Sequence, residues 1–258
     1  MASTLYEHLG IFSDWAEKAA SERPLRPLAL PGPQTLQQVR DTLGFFFSDE
    51  QPQDVRIDGT WERDGVSGEA VSWSVGYGPR TQAWVLKPVG VVGPLPGVVA
   101  LHDHGGFKFN GKEKIAEGPE EMPDYLRIYQ ERAYGGRAFA NALAREGVVV
   151  LVHDTFAWGS RRLPRETMET AFAPAFEPLA GESLSRGIPY EIAEYNFLAR
   201  LQEHEIEKYC GLLGTTFAGV VTYEDRVAVQ YLLSRSDVVP GGVGCIGLSG
   251  GGCRAGLL

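Results

Sequence analysis

Cysteine is scarce in this sequence. The three present, Cys210, Cys245 and Cys253, are an odd number, and no C-x-x-C pair or Cys/His zinc spacing joins them. That argues against a disulfide scaffold and against a structural zinc site. All three are expected in the interior as small apolar side chains. Long apolar runs are lacking too. No stretch approaches the roughly 18 residues that span a bilayer, so no membrane partner is expected. The opening MASTLYEHLGIFSDWAEKAASERP has no basic start, apolar h-region or cleavage signal, and the expected compartment is the cytoplasm. Positive charge is in deficit. Twenty-four Lys and Arg face 33 Asp and Glu, a net charge of −9, the wrong sign for a protein that neutralises nucleic-acid phosphates. There is no internal repeat, and the 32 Gly and 16 Pro fall at turns without a period. What is present suffices for a core: 43% of the 258 residues are hydrophobic and 22% are charged, which fits one large domain or two small ones.

Two short helical patterns, Leu5–Ala20 and Thr35–Phe47, flank the proline-rich SERPLRPLALPGP. Residues 1–53 are therefore expected to form a helical appendage packed on a main domain of residues 54–258. The strand-like runs Val55–Arg63, Glu69–Val75 and Thr81–Pro88 follow, separated by Asp64-Gly65 and by the turn-rich Gly76–Arg80. They read as antiparallel strands at a sheet edge. The texture then changes. Gly97–Leu101, Val148–Val152 and Gly244–Gly247 are apolar without alternation, as in parallel strands covered on both faces. Tyr134, Ala138, Phe139, Ala142 and Leu143 form one face of a helix ending near Gly147. Val227, Ala228, Tyr231 and Leu232 belong to another, opened by the capping-box pattern Thr222-x-x-Asp225. The connection from Asp154 to Thr222 is too long for a simple crossover. In it, Ile192, Tyr195, Ala199, Ile206, Tyr209 and Leu213 repeat at helical spacing, so a helical excursion is expected at about 155–221. The expected fold is α/β, a three-layer αβα sandwich on a mostly parallel sheet with antiparallel N-terminal strands.

The most informative stretch is GCIGLSGGG. Gly247-x-Ser249-x-Gly251 matches the G-x-S-x-G nucleophile elbow, and it follows a strand-like run as that turn requires. A serine on so tight a strand-to-helix turn has strained backbone angles, and its neighbours two before and two after must be small. The turn lifts the hydroxyl above the sheet and sets a helix N-terminus beneath it. A second feature, HDHGGF, follows the run Gly97–Leu101. Serine esterases of the α/β type build half of the oxyanion hole with such glycines, whose amides approach the developing negative oxygen without a Cβ in the way. Gly250 is the expected second donor. Two other patterns are decoys. Gly242-x-Gly244-x-x-Gly247 matches a dinucleotide fingerprint, but the strand lies inside the pattern. His102-x-His104 has the look of a metal pair, but Gly-Gly-Phe follows where further ligands are needed.

HDHGGFKFNGKEKI, HDTFAWGSRR and GCIGLSGGG, each after a strand, resemble the α/β-hydrolase superfamily and more narrowly its acetyl-xylan-esterase and dienelactone-hydrolase-like branch. The resemblance runs from about Val55 to the end. It implies Ser249 as nucleophile, Gly250 with Gly105 and Gly106 as oxyanion hole, a small-molecule ester as substrate, and no cofactor or metal. His104, Trp158 and Arg161 are candidates for holding the substrate: the Asp154–Arg162 loop lies at a strand's carboxyl end, where open sheets bind ligands.

In that superfamily the acid and the histidine follow the serine. Here only Gly-Gly-Gly-Cys-Arg-Ala-Gly-Leu-Leu follows Ser249. The chain therefore reads as an α/β-hydrolase fold lacking its C-terminal strands, poor in activity alone, with exposed apolar surface near Ile246, Leu257 and Leu258. His102, His104 and His153 lie at strand ends and are read as turn-bonded rather than as a substitute base; His8 and His204 are read as surface or packing residues. Ser160 lacks the second small neighbour and is no rival nucleophile. Two alternatives stay open: a metal-dependent hydrolase using His102, Asp103, His104 and Asp154, and a non-catalytic truncated binding module. The acyl group, the alcohol and the oligomeric state are open as well.

Overall fold

The structure is a computed structural model that describes residues 7–22, 31–44, 50–168 and 170–258. The chain divides into two compact units, Met1–Thr42 and Leu43–Leu258. In the first, a 3-10 turn Glu7–Phe12 leads into α1, Ser13–Glu22, with Phe12 and Trp15 stacked at 4.9 Å. Pro33, which has no amide hydrogen to leave unpaired, opens α2, Pro33–Leu43. The outer ends of the two expected helices, residues 5–6 and 45–47, lie outside the described residues.

The second unit runs β1 Gln53–Arg63, β2 Val66–Ser74, β3 Thr81–Pro88, β4 Leu95–Leu101, α3 Asp124–Tyr134, α4 Phe139–Arg145, β5 Val149–His153, α5 Ala180–Ser185, α6 Tyr190–Leu212, α7 Phe217–Leu233, β6 Val238–Gly247 and α8 Gly250–Ala255. The sheet order is β1-β2-β3-β5-β4-β6. β1, β2, β3 and β5 pair antiparallel in succession, while β5, β4 and β6 run parallel. Asp64 and Gly65, both at positive φ, make the two-residue turn between paired Arg63 and Val66 that a twisted hairpin needs. β5 shows why its sequence does not alternate. Val149 and Leu151 pack under Tyr223, Val227 and Leu232 of α7, and Val150 and Val152 pack under Ala140 and Ala144 of α4. Helices thus cover both faces of β4 and β5, giving the αβα sandwich, whereas β6 is largely exposed, so Gly244–Gly247 is not covered on both faces as expected.

Three local expectations are corrected. The helix read across Tyr134–Leu143 is two, because Gly135 and Gly136, both in the left-handed region, end α3 and the Gly136 amide donates to the Gln130 carbonyl. α7 begins at Phe217, where the Thr216 hydroxyl accepts from the Gly219 amide at 2.9 Å. Thr222 sits inside α7 and donates to the Ala218 carbonyl at 2.7 Å, and Asp225 has tertiary partners instead of a cap. Of the cysteines only Cys210 is buried; Cys245 and Cys253 are exposed on β6 and α8, at the open side of the outermost strand. Ile246 there is exposed, whereas Leu257 and Leu258 are half-buried and Leu258 packs on the core. No described helix is long and apolar enough to cross a membrane.

Candidate active site

Ser249 lies in the two-residue link Leu248-Ser249 between β6 and α8 with φ 55° and ψ −122°, a conformation that a residue with a side chain adopts only under strain. The glycines around it are required sterically. A Cβ on Gly247 would collide with the Gly251 backbone, and a Cβ on Gly251 would collide with the Leu101 carbonyl. The elbow is therefore wedged against the end of β4. The Ser249 side chain is exposed and makes no capping bond to its own helix.

The chain leaving β4 forms the neighbouring wall. A Cβ on Gly250 would lie 2.9 Å from the His104 nitrogen, so the elbow and the His104-Gly105-Gly106 turn abut. Gly105 and Gly106 have φ 59° and 64°. A Cβ on Gly105 would collide with the Tyr129 hydroxyl and the Asp103 carboxylate. The Gly106 amide donates to His104 Nδ1 at 3.0 Å. That engagement takes the Gly106 amide out of the donor set expected from sequence. Asp103, buried beneath, accepts from the hydroxyls of Tyr129 and Tyr134, the latter at 2.5 Å. Burial first, then the Asp103 charge, pushes the Tyr129 phenol far above its ordinary range.

His104 is fixed from both nitrogens. With Nδ1 accepting from Gly106, Nε2–H donates to Glu203 of α6, whose two oxygens stand 3.1 and 3.2 Å away. Glu203 also pairs with Lys108 Nζ at 2.6 Å. Burial would raise the Glu203 carboxyl, but His104 and Lys108 outweigh it and hold it at about 2. Lys108, itself buried, is pushed by that burial down to about 8, and its ammonium lies 3.5 Å over the Trp158 ring. Trp158 is consequently no open apolar wall. It is buried under Lys108, and its indole N–H donates to the His104 carbonyl at 3.3 Å. Arg161 is likewise no substrate anchor: it is buried against Glu224 of α7, with Nη2 2.5 Å from Oε1 and Nε 3.1 Å from Oε2. The next residue faces outward instead. Arg162 lies 4.4 Å over Phe109 and lines, with Asn110, Ser160 and Tyr195, a cavity of about 710 Å³ whose lining does not include Ser249.

His102 and His153 are buried in the fold, whereas His8 and His204 are exposed. His102 is 1% exposed and donates from Nδ1 to the Asp103 carbonyl at 3.0 Å; burial, then the Lys114 and Arg254 charges, hold it neutral well below the usual imidazole range. His153 is fully buried and its Nε2 lies 2.8 Å from Asp225 Oδ1, not beside the adjacent Asp154. Asp225 also accepts from Arg254 of α8 at 2.6 and 2.8 Å, and Arg254 Nη1 donates to the His102 carbonyl at 2.9 Å. One guanidinium thus ties the elbow helix to β4 and α7. Asp154 accepts from the Lys112 and Ser160 amides, each at 2.8 Å, and from Lys112 Nζ at 2.9 Å. His102, Asp103, His104 and Asp154 therefore face separate partners, and no metal-holding group of His, Cys, Asp or Glu occurs among the described residues. Glu203, Arg254 and Lys114 carried no signal in the sequence, and Asp225 read there as a helix cap.

No family profile matches the chain. A curated relative from Bacillus subtilis (strain 168), named "Putative hydrolase YtaP", is 29% identical over 176 residues, 68% of this chain and 42% of that protein. A solved structure titled as a "putative acetyl xylan esterase" from Bacteroides fragilis NCTC 9343 superposes with TM-score 0.60 at 15% identity, covering 87% of this chain and 49% of that one. The chain has the α/β-hydrolase fold and spans less than half the length of either protein.

Proposed function

We propose that the protein is a serine hydrolase of small carboxylic esters, acting through an acyl-enzyme on Ser249. The observation that carries this reading is the strained Ser249 wedged by Gly247 and Gly251 against the end of β4, with the His104 turn alongside. In the reaction, the Ser249 oxygen bonds to the acyl carbon and its proton passes to a base. The carbonyl oxygen becomes an oxyanion facing the Gly250 amide and an amide of the His104 turn. The intermediate collapses, the alcohol leaves with a proton, and water then releases the acid and restores Ser249. A serine hydroxyl needs a base to be an effective nucleophile. His102 and His153 are buried and each is bonded through one ring nitrogen, to the Asp103 carbonyl and to Asp225, and the His104 ring is held by Glu203 and Gly106. The base is proposed to be none of the three. The name of the Bacteroides structure supports acetyl as the acyl group.

Ser249→Ala in the full-length protein is the test. Hydrolysis of a short-chain aryl ester is expected to fall by about 10⁴ or more with the melting temperature unchanged. Near-full activity of that variant contradicts the reading.

A further inference from the structure

Lys114 is fully buried, and none of the steps above employs it. It follows β4 by a loop and a single 3-10 turn, Lys112–Lys114. Its ammonium donates to the Asp103 carbonyl, lies 3.4 Å from the His104 carbonyl and stands 3.8 Å from Asp103 Oδ1. These are the carbonyls of the two peptides that open the turn beside Ser249. Other donors pull the same way. His102 Nδ1 reaches the Asp103 carbonyl at 3.0 Å, and the Trp158 indole and the Phe107 amide each reach the His104 carbonyl at 3.3 Å.

A trans peptide is planar, so its C=O and N–H point in opposite directions. Carbonyls drawn inward onto one cation turn the following amides outward. The first such amide belongs to His104, whose nitrogen abuts Gly250; the second belongs to Gly105. Only the third, Gly106, bends back to a side chain. We propose that Lys114 is the positioning residue of the oxyanion turn: its buried ammonium fixes the Asp103 and His104 carbonyls inward and so aims the His104 and Gly105 amides at the oxygen that becomes negative during acyl transfer. The catalytic consequence rests on the serine-hydrolase reading; the orientation of the turn does not.

Burial, opposed by Asp103 and joined by Arg254 and Lys108, pushes Lys114 down to about 7. Below that pH the group is an ammonium whose field is little screened by water, and it polarises both amides in the sense that favours an oxyanion. As pH rises through that value the charge is lost, and this polarisation with it.

The test uses the full-length protein, a fluorophosphonate probe that phosphonylates Ser249, and the amide resonances of the turn. Lys114→Met removes donor and charge, and Asp103 keeps its two tyrosine donors. Labelling is expected to slow by about 10²-fold, and kcat for an aryl ester to fall with KM unchanged, because the donors act in the transition state. The His104 and Gly105 amide resonances are expected to move. Lys112→Met, which removes an equally buried lysine that touches neither carbonyl, should leave labelling and both resonances unchanged. If Lys114→Met does not fold, Lys114→Gln, which keeps N–H donors without a buried charge, is read in its place and should label at an intermediate rate. A folded Lys114 variant with wild-type labelling and unmoved resonances overturns the proposal. An unlabelled Ser249 in the unaltered protein overturns the serine-hydrolase reading instead, and the resonances alone then decide whether Lys114 orients the turn.

Discussion

The two turns that meet at the carboxyl ends of β4 and β6 are both short and rich in glycine, yet they are held by different forces. The elbow at Ser249 is a steric object: Gly247 and Gly251 leave no room for a Cβ, and the backbone is pressed against β4. The turn at His104 is an electrostatic object: Lys114, Asp103, Tyr129, Glu203 and Lys108 fix it through buried charges and hydrogen bonds. A tight elbow sets the height of a hydroxyl whatever the pH. A turn held by charge can aim amides finely, at the cost of depending on every partner.

Perturbing the link between the turns is expected to have the largest effect. Arg254→Met leaves the Asp225 carboxylate buried with His153 alone and frees the His102 carbonyl. Removing one partner of a buried pair costs about 3–5 kcal/mol, to be read as a fall in urea midpoint at unchanged slope. An unchanged midpoint would mean that the elbow stands without that tie.

Gly105→Val attacks the turn. A β-branched side chain at φ 59° strains the backbone and meets Tyr129 and Asp103, so a loss of about 2–3 kcal/mol is expected, with ester hydrolysis falling more than stability explains. Gly251→Ala attacks the elbow. Its single methyl meets the Leu101 carbonyl, and about 1–3 kcal/mol should be lost equally at low and high salt, since no charge is involved.

The smallest effect sharpens the contrast. The Glu203 carboxyl titrates at about 2 in the folded protein against an ordinary 4.5. A carboxyl held low contributes stability above its unfolded pKa and loses it as pH falls from about 4.5 toward 2. Glu203→Gln should therefore cost about 1–2 kcal/mol at neutral pH, discounted for partial exposure, with the gap to the parent closing across that acidic window. A pH-independent gap would show that Glu203 acts by packing.

The same contrast explains what could be read in advance. Strand texture carried the sheet: GVVAL and VVVLV are apolar on both faces because helices cover both. The elbow was legible because sterics leave a mark at fixed spacing, two residues before and after Ser249. The supports of the His104 turn left no such mark. Glu203 is an acid on a charged helix, Lys114 one basic residue in GKEK, and Arg254 an ordinary residue past a glycine run; only the fold gives them depth. Arg161 and Trp158 misled for the same reason, since a loop at a strand's carboxyl end turns some side chains inward, and here Arg162 faces the cavity in place of Arg161.

The account rests most heavily on Ser249. Treating the full-length protein with a fluorophosphonate and mapping the adduct by peptide mass spectrometry tests it directly. The account predicts one phosphonyl group, on Ser249, absent from Ser249→Ala and blocked by a competing short-chain ester. A folded protein that takes up no adduct, or carries it on another serine such as Ser160, contradicts it.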